Sequence, residues 1–143
     1  MANQRQRRRG NSVIEFSLLA PWFIFLFIGA FDWGICTYGL ISTQSALRVA
    51  VQNSSLNSTT AVDSATACSY ALTEMRGAPN IGTSVTTCNA LPLIVAATAI
   101  TGPDGAPASK ITITYQTPQL IPIPGILAGR FIFVQAAVMR LRT

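Results

Sequence analysis

VIEFSLLAPWFIFLFIGAFDWGICTYGLI, residues 13–41, decides the architecture of this chain. The stretch is almost continuously apolar, broken only by Glu15 near one end and Asp32 near the other. About 20 such residues in a helix cross the hydrocarbon core of a bilayer, so it is long enough to span with some tilt. Trp22 and Trp33 lie toward its opposite ends, where aromatic side chains anchor at membrane surfaces. Pro21 bends the helix, a defect better tolerated in a membrane than in water.

Outward on the amino-terminal side lies a basic tail. The chain of 143 residues carries a net charge of +5, and Arg5, Arg7, Arg8 and Arg9 supply four of its positive charges. Such a cluster beside an apolar span is expected on the cytoplasmic side. From Asn11 onward the charges nearly cancel, leaving no basic face to track phosphates, so no nucleic-acid partner is expected. Residues 1–9 are arginine-rich and aperiodic, which predicts a tail that does not fold by itself. Overall, 50% of the residues are hydrophobic and only 10% charged, too few charges to coat an ordinary soluble domain.

On the other side, Ala46, Leu47, Ala50 and Val51 keep an apolar stripe, so the helix continues to about Gln52. NSSLNSTT, residues 53–60, reads as a polar loop. A second helix is expected from Asp63, its cap, to Arg76, with Gly77 as the stop. Beyond it Thr, Val and Ile alternate with Pro and Gly, the texture of strands and turns. Leu93–Ile100 and Lys110–Tyr115 flank the turn residues Pro103, Asp104 and Gly105 and form an antiparallel pair. A last strand, Phe131 to about Met139, is apolar on both faces, which suits either a central strand or one packed on the helix. TPQLIPIPGILAG, residues 117–129, is a proline-broken apolar loop that folds over the sheet, touches the membrane surface or meets a partner.

The fold class is therefore α+β: a long amino-terminal transmembrane helix, a second short helix and a small antiparallel sheet. The expected divisions are a basic leader at 1–10, the transmembrane and extended helix at 11–52, and an exported α+β domain at 53–143. Cys68 and Cys88 fall in that domain, where an oxidising compartment permits a disulfide, two buried thiols being the alternative. Cys36, in or just beyond the helix, reads as packing. There is no histidine, the commonest base and metal ligand, and Asp63, Glu74 and Asp104 are scattered. No enzyme, metal or cofactor is expected.

One motif carries the functional reading. In RRRGNSVIEF, residues 7–16, a glycine between basic tail and apolar helix lets a protease reach the backbone. Glu15 lies just inside the apolar run, where an ionised side chain calls for a partner. Gly10, Asn11 as a new first residue and Glu15 as the fifth resemble the processing site of type IV prepilins and pseudopilins. Glu15 with Phe16 is similar to the Glu-Tyr pair of tight-adherence pilins. GAFDWG at 29–34, SALRVAV and the closing AAVMRLR make the chain resemble the TadE family of minor pseudopilins. Family members commonly show Glu-Phe-Gly where Asp32, Trp33 and Gly34 stand, so that position matches in part.

The resemblance implies cleavage after Gly10 by a prepilin peptidase, a membrane aspartic protease. It also implies pairing of Glu15 with the freed amine of a neighbour's Asn11. The chain is then a substrate and a structural subunit in the bacterial inner membrane, amino-terminus cytoplasmic and carboxy-terminal domain periplasmic, later extracellular in a pilus. Its partners are the peptidase, other pilin or pseudopilin subunits, the inner-membrane assembly platform and the lipid bilayer. Asp32 follows Glu15 by about 26 Å of helix rise and reads as an interfacial carboxylate that contacts a neighbouring helix or the platform, or is simply solvated. The competing expectations are an uncut, permanently anchored envelope protein scaffolding a membrane complex and, less well matched to the long apolar run, a secreted protein cut after Ala30.

Overall fold

The computed structural model describes the backbone of residues 3–121 and 129–142, with side chains from Val13 onward. Helix α1 (Asn3–Ser54) is followed by a 3-10 turn (Thr60–Val62), α2 (Ser64–Met75) and strands β1 (Asn89–Ala90), β2 (Leu93–Thr101), β3 (Pro107–Gln116) and β4 (Ile132–Arg140). The strands form one antiparallel sheet in the order β1-β2-β3-β4. The architecture is α+β, as the sequence implies. The chain divides into two compact units, Met1–Gly34 and Ile35–Thr143.

The first unit is helix alone. Apolar side chains are exposed all round it, from Val13 and Ile14 through Leu18, Trp22 and Phe27 to Phe31. A helix apolar on every side belongs in a protein core or a bilayer. The described helix Val13–Ser54 reaches a mean hydropathy of 2.0 and is long and apolar enough to cross a membrane. Pro21 sits inside it. The helix also runs back to Asn3, where an aperiodic tail was expected. Gln and Arg are good helix formers, and extending an existing helix avoids the cost of nucleation.

The second unit holds the core. Ala46, Leu47, Ala50 and Val51 of α1, Ala67, Ala71 and Met75 of α2, and the inward side chains of the sheet form one cluster. Those inward residues alternate along each strand and meet across the ladder: Leu93 opposite Tyr115, Val95 opposite Ile113, Ala97 opposite Ile111. Helix α1 ends two residues later than expected, at Ser54, and side chains add hydrogen bonds to carbonyls near its end. Asn53 Nδ2 donates to Val49 O at 3.0 Å and Ser55 Oγ to Gln52 O at 2.9 Å.

Asp63 caps α2 as read from the sequence, accepting from Ala65 N at 3.0 Å and Thr66 N at 3.1 Å. Hydrogen bonds from Thr66 and Ala65 hold its carboxyl below the usual range, against a small opposing effect of burial. The β2–β3 hairpin also matches, slightly longer at both ends. Its turn needs Gly105, which adopts φ 77°.

Two strand expectations change. The two-residue β1 is too short for any periodicity to betray; it covers only the start of β2, pairing Ala90 with Leu93 and Asn89 with Ile94. Further along, Ser64 Oγ accepts from Ala97 N at 3.0 Å and takes over where β1 stops. The last strand is not central: β4 lies at the sheet edge. Phe133, Ala137 and Met139 pack against the core, while Ile132, Val134 and Val138 stay exposed. In the apolar loop, Leu120 is buried and Ile121 is exposed; residues 122–128 lie outside the described residues.

Helix and sheet approach closely at Gly39, buried against the ring of Tyr115. A Cβ at this position would stand 2.7 Å from Tyr115 Cε1. That ring cannot step aside, because it is fully buried and its hydroxyl donates to Pro79 O at 2.6 Å. Burial, with Cys36 adding a repulsive charge, pushes the phenol up to about 12. Gly39→Ala is therefore expected to cost about 1–3 kcal/mol of stability through overpacking. Denaturant unfolding of the full chain in micelles checks this, and a midpoint equal to the wild type's would refute the close-packing argument.

Candidate functional site

The residues singled out by the sequence all fall on α1, apart from the cysteine pair. Gly10 and Asn11 stand in the helical backbone, with side chains outside the described residues. Glu15 comes one helical turn after Asn11, and Phe16 beside it is 69% exposed. Glu15 is exposed too, and among the described residues it has no ion pair or hydrogen bond. Its surroundings are Val13, Ile14, Leu18 and Leu19, all exposed. This is one carboxylate on an apolar cylinder.

Among the described residues the helix brings the carboxylate no partner. An ionised side chain at the centre of a spanning helix costs about 2.5–3.5 kcal/mol, and less toward its end. Ser17, two residues on, donates its hydroxyl to Val13 O at 2.8 Å. Ser17 is thus occupied with backbone.

Asp32 presents the opposite environment. It is 2% exposed, and its Oδ2 has no hydrogen-bond partner among the described residues. The side chain is closed off from water, so it is not the solvated carboxylate that one sequence reading allowed. A buried oxygen without a donor is destabilising and marks a place where a donor would be welcome.

Cys68 and Cys88 are joined in a disulfide, with Cα atoms 5.8 Å apart. The bond ties α2 to the chain just before β1. Closing a loop of 20 residues stabilises a small domain by about 3 kcal/mol in the chain-entropy model. No group of three His, Cys, Asp or Glu comes together among the described residues to hold a metal.

The glycine, the carboxylate and the uniformly apolar helix therefore occur in sequence on a single continuous element. Residues 10–52 match the family of TadE-like proteins. The TadE-like segment begins at Gly10 and ends two residues before α1 does. It takes in Glu15, Asp32 and Gly39 and leaves α2 and the sheet outside. No curated protein and no solved structure matches the chain.

Sequence reasoning passed over Gly39 and Tyr115, which set the helix–sheet contact. A signal was present: Gly39, Thr43, Ala46 and Ala50, small residues three or four apart, mark one face of a helix that another layer approaches closely. Asp32's burial had no such signal. Because its Oδ2 lacks a donor, Asp32→Ala is expected to unfold in micelles at the same temperature as wild type or higher. A fall of several degrees would mean that the carboxylate holds a stabilising partner.

Proposed function

We propose that this chain is a minor pilin or pseudopilin of a tight-adherence type pilus or related secretion filament. It resides in the bacterial inner membrane with its arginine-rich end in the cytoplasm. A prepilin peptidase cuts between Gly10 and Asn11, and the processed chain joins a filament through the assembly platform and other pilin subunits. The carrying observation is the spacing of Gly10, Asn11 and Glu15 at the head of an all-round apolar helix, at the point where the TadE-like match starts.

The physical sequence is short. While the leader is attached, Arg5, Arg7, Arg8 and Arg9 hold the amino end on the cytoplasmic side. Cleavage removes those charges and leaves one ammonium, on Asn11. Among the described residues Glu15 has no cation beside it, which supports a neighbour's ammonium as its complement. At low dielectric two opposite charges attract strongly, and pairing them offsets the desolvation of both. The pair then sets the axial step between adjacent subunits. The disulfide suits export of the carboxy-terminal part to an oxidising compartment. In this account the chain is the peptidase's substrate and a structural subunit.

Mass spectrometry of the mature amino-terminus, in cells with and without a prepilin peptidase, tests the reading. Asn11 is expected where the peptidase is present. Met1 or Ala2 in both strains would favour a permanently anchored scaffold and overturn the pilin assignment.

Glu15→Ala isolates the pairing step from the cleavage step. The variant is expected to be cut normally and to enter filaments at least about tenfold less, the factor that corresponds to about 1.4 kcal/mol. Normal incorporation, measured by immunoblot of sheared filaments, would remove Glu15 from assembly.

A further inference from the structure

β4 ends the sheet, and nothing among the described residues pairs with it on the side away from β3. The ladder shows which groups that open edge offers. Thr117 N donates to Phe131 O at 2.9 Å and Leu141 N to Pro107 O at 3.0 Å, so the odd-numbered residues of β4 exchange hydrogen bonds with β3. Ile132, Val134, Ala136, Val138 and Arg140 therefore aim their backbone N–H and C=O groups away from the sheet.

Sheet edges are ordinarily blunted by proline, a bulge, an inward charge or extreme shortness. The opposite edge is: β1 has two residues, and Ser64 Oγ takes up Ala97 N beyond it. β4 has nine, pairs with β3 without interruption and contains no proline. Its inward side chains are incompletely covered as well. Phe133, Ala137 and Met139 are only partly buried, whereas Ile111, Ile113 and Tyr115 of β3 are fully so. Gln135 shares their face, and its Oε1 is buried with no donor among the described residues.

Charge says what kind of strand completes the edge. Arg130 precedes β4, Arg140 closes it and Arg142 follows; all three are exposed, and residues 129–142 contain no acid. Asp104 stands 3.5 Å from Arg140, but both groups are largely exposed and the pair is weak. A second copy suits this edge badly. Two β4 strands aligned antiparallel along their full length set Arg142 opposite Arg130 at both ends, and a parallel alignment sets each arginine against its own copy. Like charges directly opposite are destabilising.

We propose that the edge of β4 is a strand-addition site for another polypeptide: an extended segment with an apolar, β-branched centre and carboxylates at both ends. Its backbone meets the outward groups of β4, and its side chains lie beside Val134 and Val138 on one face and Phe133 and Met139 on the other. Its carboxylates meet Arg130 at one end and Arg140 and Arg142 at the other, which sets direction and partner choice. The site does not depend on whether the leader is cut.

Amide hydrogen exchange of the full chain in zwitterionic micelles, followed residue by residue by NMR, tests the site. The probes are a Val-Thr repeat flanked by glutamates and the same repeat flanked by lysines, each N-methylated along one edge so that it cannot stack on itself. The glutamate probe is expected to slow exchange several-fold at Val134, Ala136 and Val138, while Phe133, Gln135 and Ala137, whose amides already face β3, stay as they were. The lysine probe is expected to change none of them. Unchanged exchange with the glutamate probe, or equal slowing by both, overturns the proposal. So does slowing that rises with protein concentration in the absence of probe, which would seat a second copy on the edge. Arg130→Glu combined with Arg142→Glu separates this site from the arginines of the amino-terminal tail: the double variant is expected to lose its response to the glutamate probe and gain one to the lysine probe, and a response like the wild type's would remove the flanking arginines from recognition.

Discussion

The arrangement depends on how closely a sheet can approach a helix. Gly39, Thr43, Ala46 and Ala50 are all buried and present one face of α1 without bulk. Thr43 even folds its hydroxyl back, donating to Gly39 O at 2.7 Å, which hides its polarity from the interface. With no side chain at Gly39, Tyr115 reaches the helix and anchors its hydroxyl on Pro79 O. Ile111, Ile113 and Leu93 follow it into the same core, fully buried. A larger residue on that stripe would lift the sheet and leave voids across the whole cluster.

One helix thus serves two environments. Between Ile35 and Ser54 it has a small-residue face and a polar face, the pattern of a helix packed on one side. Before Gly34 the exposure of Leu18, Trp22, Phe25 and Phe27 satisfies no aqueous solvent. The two carboxylates in this apolar stretch differ in kind. Glu15 is open to whatever surrounds the helix, whereas Asp32 is shut away with an oxygen unmet. Recognition between subunits uses groups that can be reached, and the proposed pairing accordingly falls on Glu15.

Most of the fold was legible where chemistry is local. The α2 boundaries followed from Asp63 and Gly77, because capping and stopping are decided within a few residues. The β2–β3 hairpin followed from Pro103, Asp104 and Gly105, turn residues between two runs of strand-forming residues. Reading failed where a neighbour decides. Ile132, Val134 and Val138 look as central as any buried strand, yet β4 is at the edge, and only strand order distinguishes those cases. The TadE-like segment was legible from Gly10 onward because its signal lies in spacing along one helix. The environment of Asp32 was not, since burial is a property of the folded chain.

By itself the sequence determined an all-round apolar helix behind an arginine cluster, with a glycine and a carboxylate at its head. Hydropathy, charge and helical spacing act along the chain and need no partner. Tertiary structure alone decided that the sheet rests on a stripe of small residues, that Tyr115 meets Gly39, and that β4 stands at the sheet edge. Each of these joins residues far apart in sequence, and no local preference fixes which of them meet until the core has closed.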